Sequence, residues 1–198
     1  MENLPNARQQ KMRQVLARRQ PNLAVVLEDV HDPHNLSAVM RSCDAVGIME
    51  IYVVNTLTPP ITKLGKRSSA GAKKWVTLHF FQDIDTCMQA VKAKYEQVYA
   101  THLSQDAVSL YDLKLTGSVA LMFGNERIGL SPHILQYADG NFIIPMQGMV
   151  QSLNISVACA VSLFEVMRQR ISIGAYSNAL LPETTQQHMF DGWVKRDL

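Results

Sequence analysis

The stretch AVVLEDVHDPHNLSAVMRSCDAVGIMEIYVV, residues 24–54, holds two apolar runs with a helical pattern between them. AVVLED (24–29) is short and apolar almost throughout, which predicts a buried strand. After the loop HDPH, Asn35 can cap a helix that runs to Val46, and Gly47 supplies the stop. EIYVV (50–54) predicts the next strand. Strand, helix and strand in that order form the unit of a parallel sheet covered on both faces.

The alternation continues outward. Upstream, Arg8 to Arg19 reads as a helix with Met12, Val15 and Leu16 on one side, ended by Gln20-Pro21. Downstream, strands are predicted at VTLHFF (76–81), QVYATHL (97–103), SVALMF (118–123) and NFIIP (141–145). Helices are predicted over 83–95, from Ser131-Pro132, from a Ser152 cap to about Ile171, and from Pro182 toward Lys195. The segment 61–74 is basic and loop-like. The pattern predicts an α/β fold, a mostly parallel sheet with helices on both faces. Ligands of such sheets bind at the carboxyl ends of the strands, which directs attention to HDPHN, THLSQD, GNERIG and PMQGMVQS.

Composition narrows the class. With 47% hydrophobic and 18% charged residues in 198, the chain is neither disordered nor low-complexity. No apolar run reaches the length of a membrane span, and the N-terminus has no apolar signal core, so a cytoplasmic protein is expected. Cys43, Cys87 and Cys159 lie far apart with no CxxC, which supports neither a disulfide framework nor a zinc cluster. The net charge is only +2, but its distribution is uneven. Residues 1–20 carry five cations (Arg8, Lys11, Arg13, Arg18, Arg19) against Glu2. A second cluster, Lys63, Lys66, Arg67, Lys73 and Lys74, contains no acid, and Arg168 and Arg170 form a third. Separated basic clusters on a near-neutral body suggest a polyanion footprint, although any one of them could be ordinary solvated surface.

Common nucleotide and catalytic motifs are missing. There is no GxGxxG, no HExxH and no GxSxG, and GNERIG (124–129) continues with Leu130-Ser131 in place of a phosphate-gripping lysine. His31 and His34 suit loop hydrogen bonding better than metal ligation. Arg41 falls opposite the apolar face of its helix, where it is either a surface arginine or a functional one. Glu126 follows a buried strand and is placed either to cap the next helix or to hold an arginine or a base. IPMQGMVQSLNIS (144–156) joins a strand to a long helix with no charged residue. A loop that apolar is buried, and its backbone groups need partners. It is either a structural crossover or the bed of a small molecule such as one with an adenine ring and a methionine tail.

Together these segments resemble the SpoU branch of the SPOUT RNA methyltransferases. The resemblance lies in 16–47, 66–76 (KRSSAGAKKWV), YATHLS (99–104), LMFGNERIGLS (121–131) and IPMQGMVQSLNISVACAVSLFEVMRQR (144–170), in the family's order. It implies a C-terminal deep trefoil knot holding S-adenosylmethionine, with helical extensions at both ends. The implied division is a basic N-terminal helix (1–20), a methyltransferase domain (21–172) and a C-terminal helical extension (173–198). It also implies a homodimer in which each site is completed by the other subunit, and no metal. The matching catalytic positions are Asn35, Arg41, Glu126, Ser152 and Asn154. Cofactor positions are Thr101, Leu103, Gly124, Ile144, Met149 and Leu153. Positions implied in RNA contact are Arg8, Arg18, Arg19, Lys66, Arg67, Lys73, Arg168 and Arg170. The closest branch methylates the ribose 2′-oxygen of guanosine 18 in the D-loop of tRNA. The alternatives are the same chemistry on a tRNA anticodon loop or on ribosomal RNA, a non-catalytic RNA-binding knot protein, or a flavin- or nicotinamide-binding α/β protein.

Overall fold

The computed structural model describes residues 4–57 and 71–197. Lys63, Lys66 and Arg67 lie outside the described residues. Seven strands form one sheet in the order β3-β2-β1-β6-β4-β7-β5, and every pairing in it is parallel. They are β1 (Leu23–Glu28), β2 (Glu50–Val54), β3 (Thr77–Phe81), β4 (Gln97–Thr101), β5 (Val108–Ser109), β6 (Val119–Phe123) and β7 (Gly140–Ile143). The helices are α1 (Asn6–Leu16), α2 (Pro33–Ala45), α3 (Ile84–Lys92), α4 (Pro132–Leu135), α5 (Ile155–Ser172) and α6 (Glu183–Asp197).

The alternation of side chains along each strand divides the core in two. Leu23, Val25, Leu27, Val119, Leu121 and Phe123 face α2 and α5, which bring Leu36, Val39, Met40, Cys43, Cys159 and Leu163. Ala24, Val26, Ala120 and Met122 face α3 and α4, which bring Cys87, Met88, Val91 and Ile134. Helices therefore cover both faces, as the sequence pattern predicts. β1 and β6 sit at the centre and are buried at every position, which is why they read as unbroken apolar runs.

Two helix starts differ from expectation. α2 begins at Pro33, not after Asn35, because Asp32 caps it and accepts from the His34 N–H at 2.8 Å. Cap followed by proline is the signature recognised at Ser131-Pro132, and it also operates at Asp32-Pro33. α5 is capped by Asn154, not Ser152, and Asn154 Oδ1 accepts from the Ser156 N–H at 2.9 Å. Both shifts release the flanking polar side chains for other contacts. Gly47 ends α2 as predicted, with φ +88°. A Cβ there would also stand 2.8 Å from the Arg18 carbonyl oxygen. β5 and the 3₁₀ turns Ala72–Lys74 and Leu110–Asp112 are too short to leave a periodic signal.

α1 and α6 pack on each other through Met12, Leu16, Phe190 and Trp193, a third apolar cluster that includes Trp75. Asp197 accepts from Arg8 Nε at 2.8 Å and from Lys74 Nζ at 2.7 Å, fastening both chain ends to the turn before β3. Those two hydrogen bonds hold the Asp197 carboxyl down to about 2.

Candidate active site

A cavity of about 650 Å³ opens at the carboxyl ends of β4, β6 and β7. Thr101 closes β4, Phe123 and Gly124 follow β6, and Ile143 and Ile144 follow β7. The loop through Met146, Val150, Ser152 and Leu153 forms another wall. Thr101 Oγ1 donates to the Met122 carbonyl at 3.0 Å, tying the end of β4 to β6. Gly124 is required by close packing, since a Cβ there would stand 2.2 Å from the Gly129 carbonyl carbon.

Three polar side chains from three elements meet beside this cavity, and of them Glu126 lines it. Asn35 Nδ2, on α2, donates a short hydrogen bond to Glu126 Oε1. Asn154 Nδ2, at the head of α5, donates to Asn35 Oδ1 at 3.1 Å. Glu126 is the only carboxylate among the described residues that line the cavity. Ser152 lines it as well. A carboxylate and two amides in series hold one another's orientation and leave lone pairs and N–H groups for a hydroxyl-bearing ligand.

Of the six cofactor positions, Thr101, Leu103, Gly124, Ile144 and Leu153 line the cavity. Met149 is the exception. It is 99% exposed and does not line the cavity. The sequence pattern does not single out Asn125, His102, Met146 or Gln151, which also line the cavity. Their position in three of the four strand-end loops is the available signal. Arg41 is exposed on α2 and does not line the cavity of its own chain.

The predicted RNA-contact arginines separate into two groups. Arg19 and Arg170 are buried, so the surface role expected of them is corrected. Arg170 donates to five oxygens, those of Gln20, Asn22, the Asn22 carbonyl, Leu115 and Gly117, at 2.6–3.3 Å. It ties the end of α5 to the turns before β1 and β6. Arg19 donates to Asp44 at 2.7 Å and to the Ile48 carbonyl at 3.0 Å, with its guanidinium 5.1 Å over Trp193. Burial pulls both guanidinium pKa values below their usual range. Arg8 is paired with Asp197, and Arg168 is paired with Glu165 at 2.7 Å. Arg18 and Lys73 are exposed. The three cysteines are buried thiols, and burial pushes Cys87 up to about 12.

The fold and the cavity define an α/β protein with a small-molecule site at the carboxyl edge of a parallel sheet, built from a carboxylate–amide relay and an uncharged loop. The chain belongs to the SpoU rRNA Methylase family, which matches residues 22–164. It is 42% identical over 99% of its length, and 100% of the relative's, to the tRNA (guanosine(18)-2'-O)-methyltransferase of Thermus thermophilus. It is 41% identical over 90% of its length, and 79% of the relative's, to the enzyme of that name from Escherichia coli K12. A 23S rRNA (guanosine-2'-O-)-methyltransferase of Vibrio cholerae is 36% identical over 80% of this chain and 64% of its own. The crystal structure of an Aquifex aeolicus TrmH/SpoU tRNA modifying enzyme superposes with a TM-score of 0.89 at 35% identity, covering 97% of each chain. An AdoMet-bound rRNA methyltransferase from Sinorhizobium meliloti superposes with a TM-score of 0.67 at 29% identity, covering 79% of this chain and 59% of that one.

Proposed function

We propose that the protein transfers a methyl group from S-adenosylmethionine to the ribose 2′-oxygen of guanosine 18 in the D-loop of tRNA. The observation that carries this is the end-to-end similarity to the Thermus enzyme of that activity, against partial coverage of the ribosomal RNA enzymes. The residues present fit the cofactor. The cavity has a volume suited to a nucleoside-sized ligand, its walls are largely apolar, and its one carboxylate suits a cationic sulfonium. Thr101, Leu103, Gly124, Ile144 and Leu153 would hold it there. When bound, it supplies an already activated methyl group.

What remains for the protein's own residues is positioning. Asn35, Glu126 and Asn154 orient the ribose, and Ser152 lines the approach. Arg41, whose planar guanidinium can donate to two oxygens at once, is given the phosphate beside that ribose, and the hydroxyl proton passes to a phosphate oxygen. Because Arg41 lies outside its own chain's cavity, this reading places it at the second site of a homodimer. Val157, Phe164 and Ile171, seven residues apart on α5, form an exposed apolar stripe that supports such pairing. The return of the chain after β7 along α5, packed on α2, supports the C-terminal knot. The exposed cations Lys11, Arg18 and Lys73 support phosphate contact around the N-terminal helix. Among the described residues no helix is long and apolar enough to cross a membrane, which is consistent with the cytoplasmic assignment proposed for a tRNA-modifying protein.

Given unmodified tRNA transcript and methyl-labelled S-adenosylmethionine, the protein is expected to label the tRNA. Label taken up by ribosomal RNA and not by tRNA would sink the assignment. A wobble-position target is the second reading, because a structure of an enzyme of 2-OH methylation of C/U34 on tRNA superposes with a TM-score of 0.67 at 27% identity over 76% of the chain.

A further inference from the structure

Asp29 is the one non-glycine among the described residues with a left-handed backbone, φ +50°. It follows β1 directly and is 3% exposed. A residue held in that region is strained unless its surroundings determine it. Here they do. Asp29 Oδ1 accepts from the Thr56 and Leu57 N–H groups at 2.9 and 3.0 Å, and Oδ2 accepts from Thr56 Oγ1 at 2.9 Å. The Asp29 N–H donates to the Val54 carbonyl at 2.9 Å. The end of β2 thus grips both the side chain and the backbone of Asp29. The resulting turn aims the Asp29 carbonyl at Asn125, whose Nδ2 donates to it at 2.9 Å and lies 2.6 Å from His31 Nε2.

Asn125 passes that orientation on. Its Oδ1 accepts from the Arg127 N–H at 2.8 Å and faces the Ile128 N–H at 3.4 Å. Its backbone exchanges hydrogen bonds with Gly129 at 3.1 and 2.8 Å. Glu126 sits inside this closed loop, so its backbone position is set by Asn125 on both sides. Ser131, just beyond, is anchored by Glu28, which accepts from the Ser131 N–H at 2.7 Å. Of this hydrogen-bonded chain, Asn125, Glu126 and Gly129 line the cavity, and Asp29 does not.

We infer that Asp29 is a positioning residue for the methyl transfer, setting through Asn125 where the Glu126 carboxylate stands. The inference rests on the methyltransferase reading above. It gives the left-handed residue a role in the site. The clamp on Thr56 and Leu57 fixes a carbonyl, and that carbonyl fixes the loop that carries the acid.

The test uses substitutions that separate strain from contact. Asp29→Gly keeps the left-handed backbone at no steric cost and keeps the carbonyl, but releases the clamp. It is expected to lower kcat about tenfold, with KM for tRNA and Kd for S-adenosylhomocysteine within about twofold of wild type. Asp29→Asn, which tolerates the same backbone and retains an acceptor, is expected to recover to within about threefold of wild type. The decisive readout is non-additivity. In a Glu126→Ala background, Asp29→Gly should change turnover by less than about twofold, because the acid it positions is gone. Should Asp29→Gly fail to fold, Asn125→Asp removes the donor to the Asp29 carbonyl, keeps the Oδ1 acceptor, and must show the same non-additivity. Equal losses in the two backgrounds, or a raised KM with kcat untouched, would overturn the inference alone. A wild-type protein that methylates no RNA would overturn the methyltransferase reading, and this inference with it.

Discussion

Replacing Glu126 with alanine is expected to lower methyl transfer to tRNA by about 100-fold, the usual loss when one oriented polar group leaves a catalytic constellation. The carboxylate is the acceptor at one end of the relay. Asn35 donates to it, and Asn154 donates to Asn35. Without it the Asn35 amide loses its partner, and Asn154 loses the fixed acceptor it leans on. Asn154 also caps α5, but its Oδ1 contact to Ser156 is independent of Glu126, so the helix start should survive. The loss should therefore fall on turnover, with cooperative thermal unfolding retained. Glu126→Gln should recover part of the activity, since its amide oxygen still accepts from Asn35. Turnover of Glu126→Ala within about threefold of wild type would remove Glu126 from the mechanism.

The second large effect concerns stability. Arg170→Ala is expected to cost about 3–5 kcal/mol through the buried acceptors it leaves unpaired, which for a chain of this size lowers the melting temperature by roughly 10–15 °C. Arg170 satisfies five oxygens and is 1% exposed. Truncation leaves those acceptors in a buried void, each with a desolvation cost of about 1–3 kcal/mol if water cannot reach it. Arg170→Lys should restore less than half of the loss, because one ammonium cannot reproduce the planar fork that reaches two separate turns. An unchanged melting temperature together with weakened tRNA binding would return Arg170 to the RNA surface.

That contrast also marks what the sequence could convey. Strand–helix alternation and the Gly47 stop follow from local chemistry, and the structure places them as expected; of the four strand-end loops, HDPHN supplies no residue to the cavity lining, and the uncharged loop expected to be buried is exposed over 147–152. Helix starts slip by three residues at α2 and two at α5, where two polar residues compete for one cap, Asp32 against Asn35 and Asn154 against Ser152. Local propensity ranks such candidates almost equally; at α2 the proline after Asp32 decides, and at α5 Asn154 is the candidate that also bonds Asn35, distant in sequence. Charge is visible in a sequence but its burial is not. Arg18 and Arg19 are neighbours in a basic run, yet Arg18 is exposed and Arg19 is buried against Trp193. Nothing in the spacing separates them, because the partners of Arg19 come from residues 44, 48, 75 and 193. The candidate site behaves in the same way. Family resemblance points to Asn35, Glu126 and Asn154, but their meeting depends on strand order, which puts β1 beside β6.

The identity of the methylated atom is central, and the most direct measurement is to map it. Wild-type protein, tRNA transcript and methyl-labelled S-adenosylmethionine are incubated, and the product is digested and sequenced by mass. The expected product carries one methyl group, on the 2′-oxygen of guanosine 18, and a transcript with 2′-deoxyguanosine at that position carries none. Label on a base, or on the ribose of another nucleotide with guanosine 18 left unmodified, would contradict the proposed function.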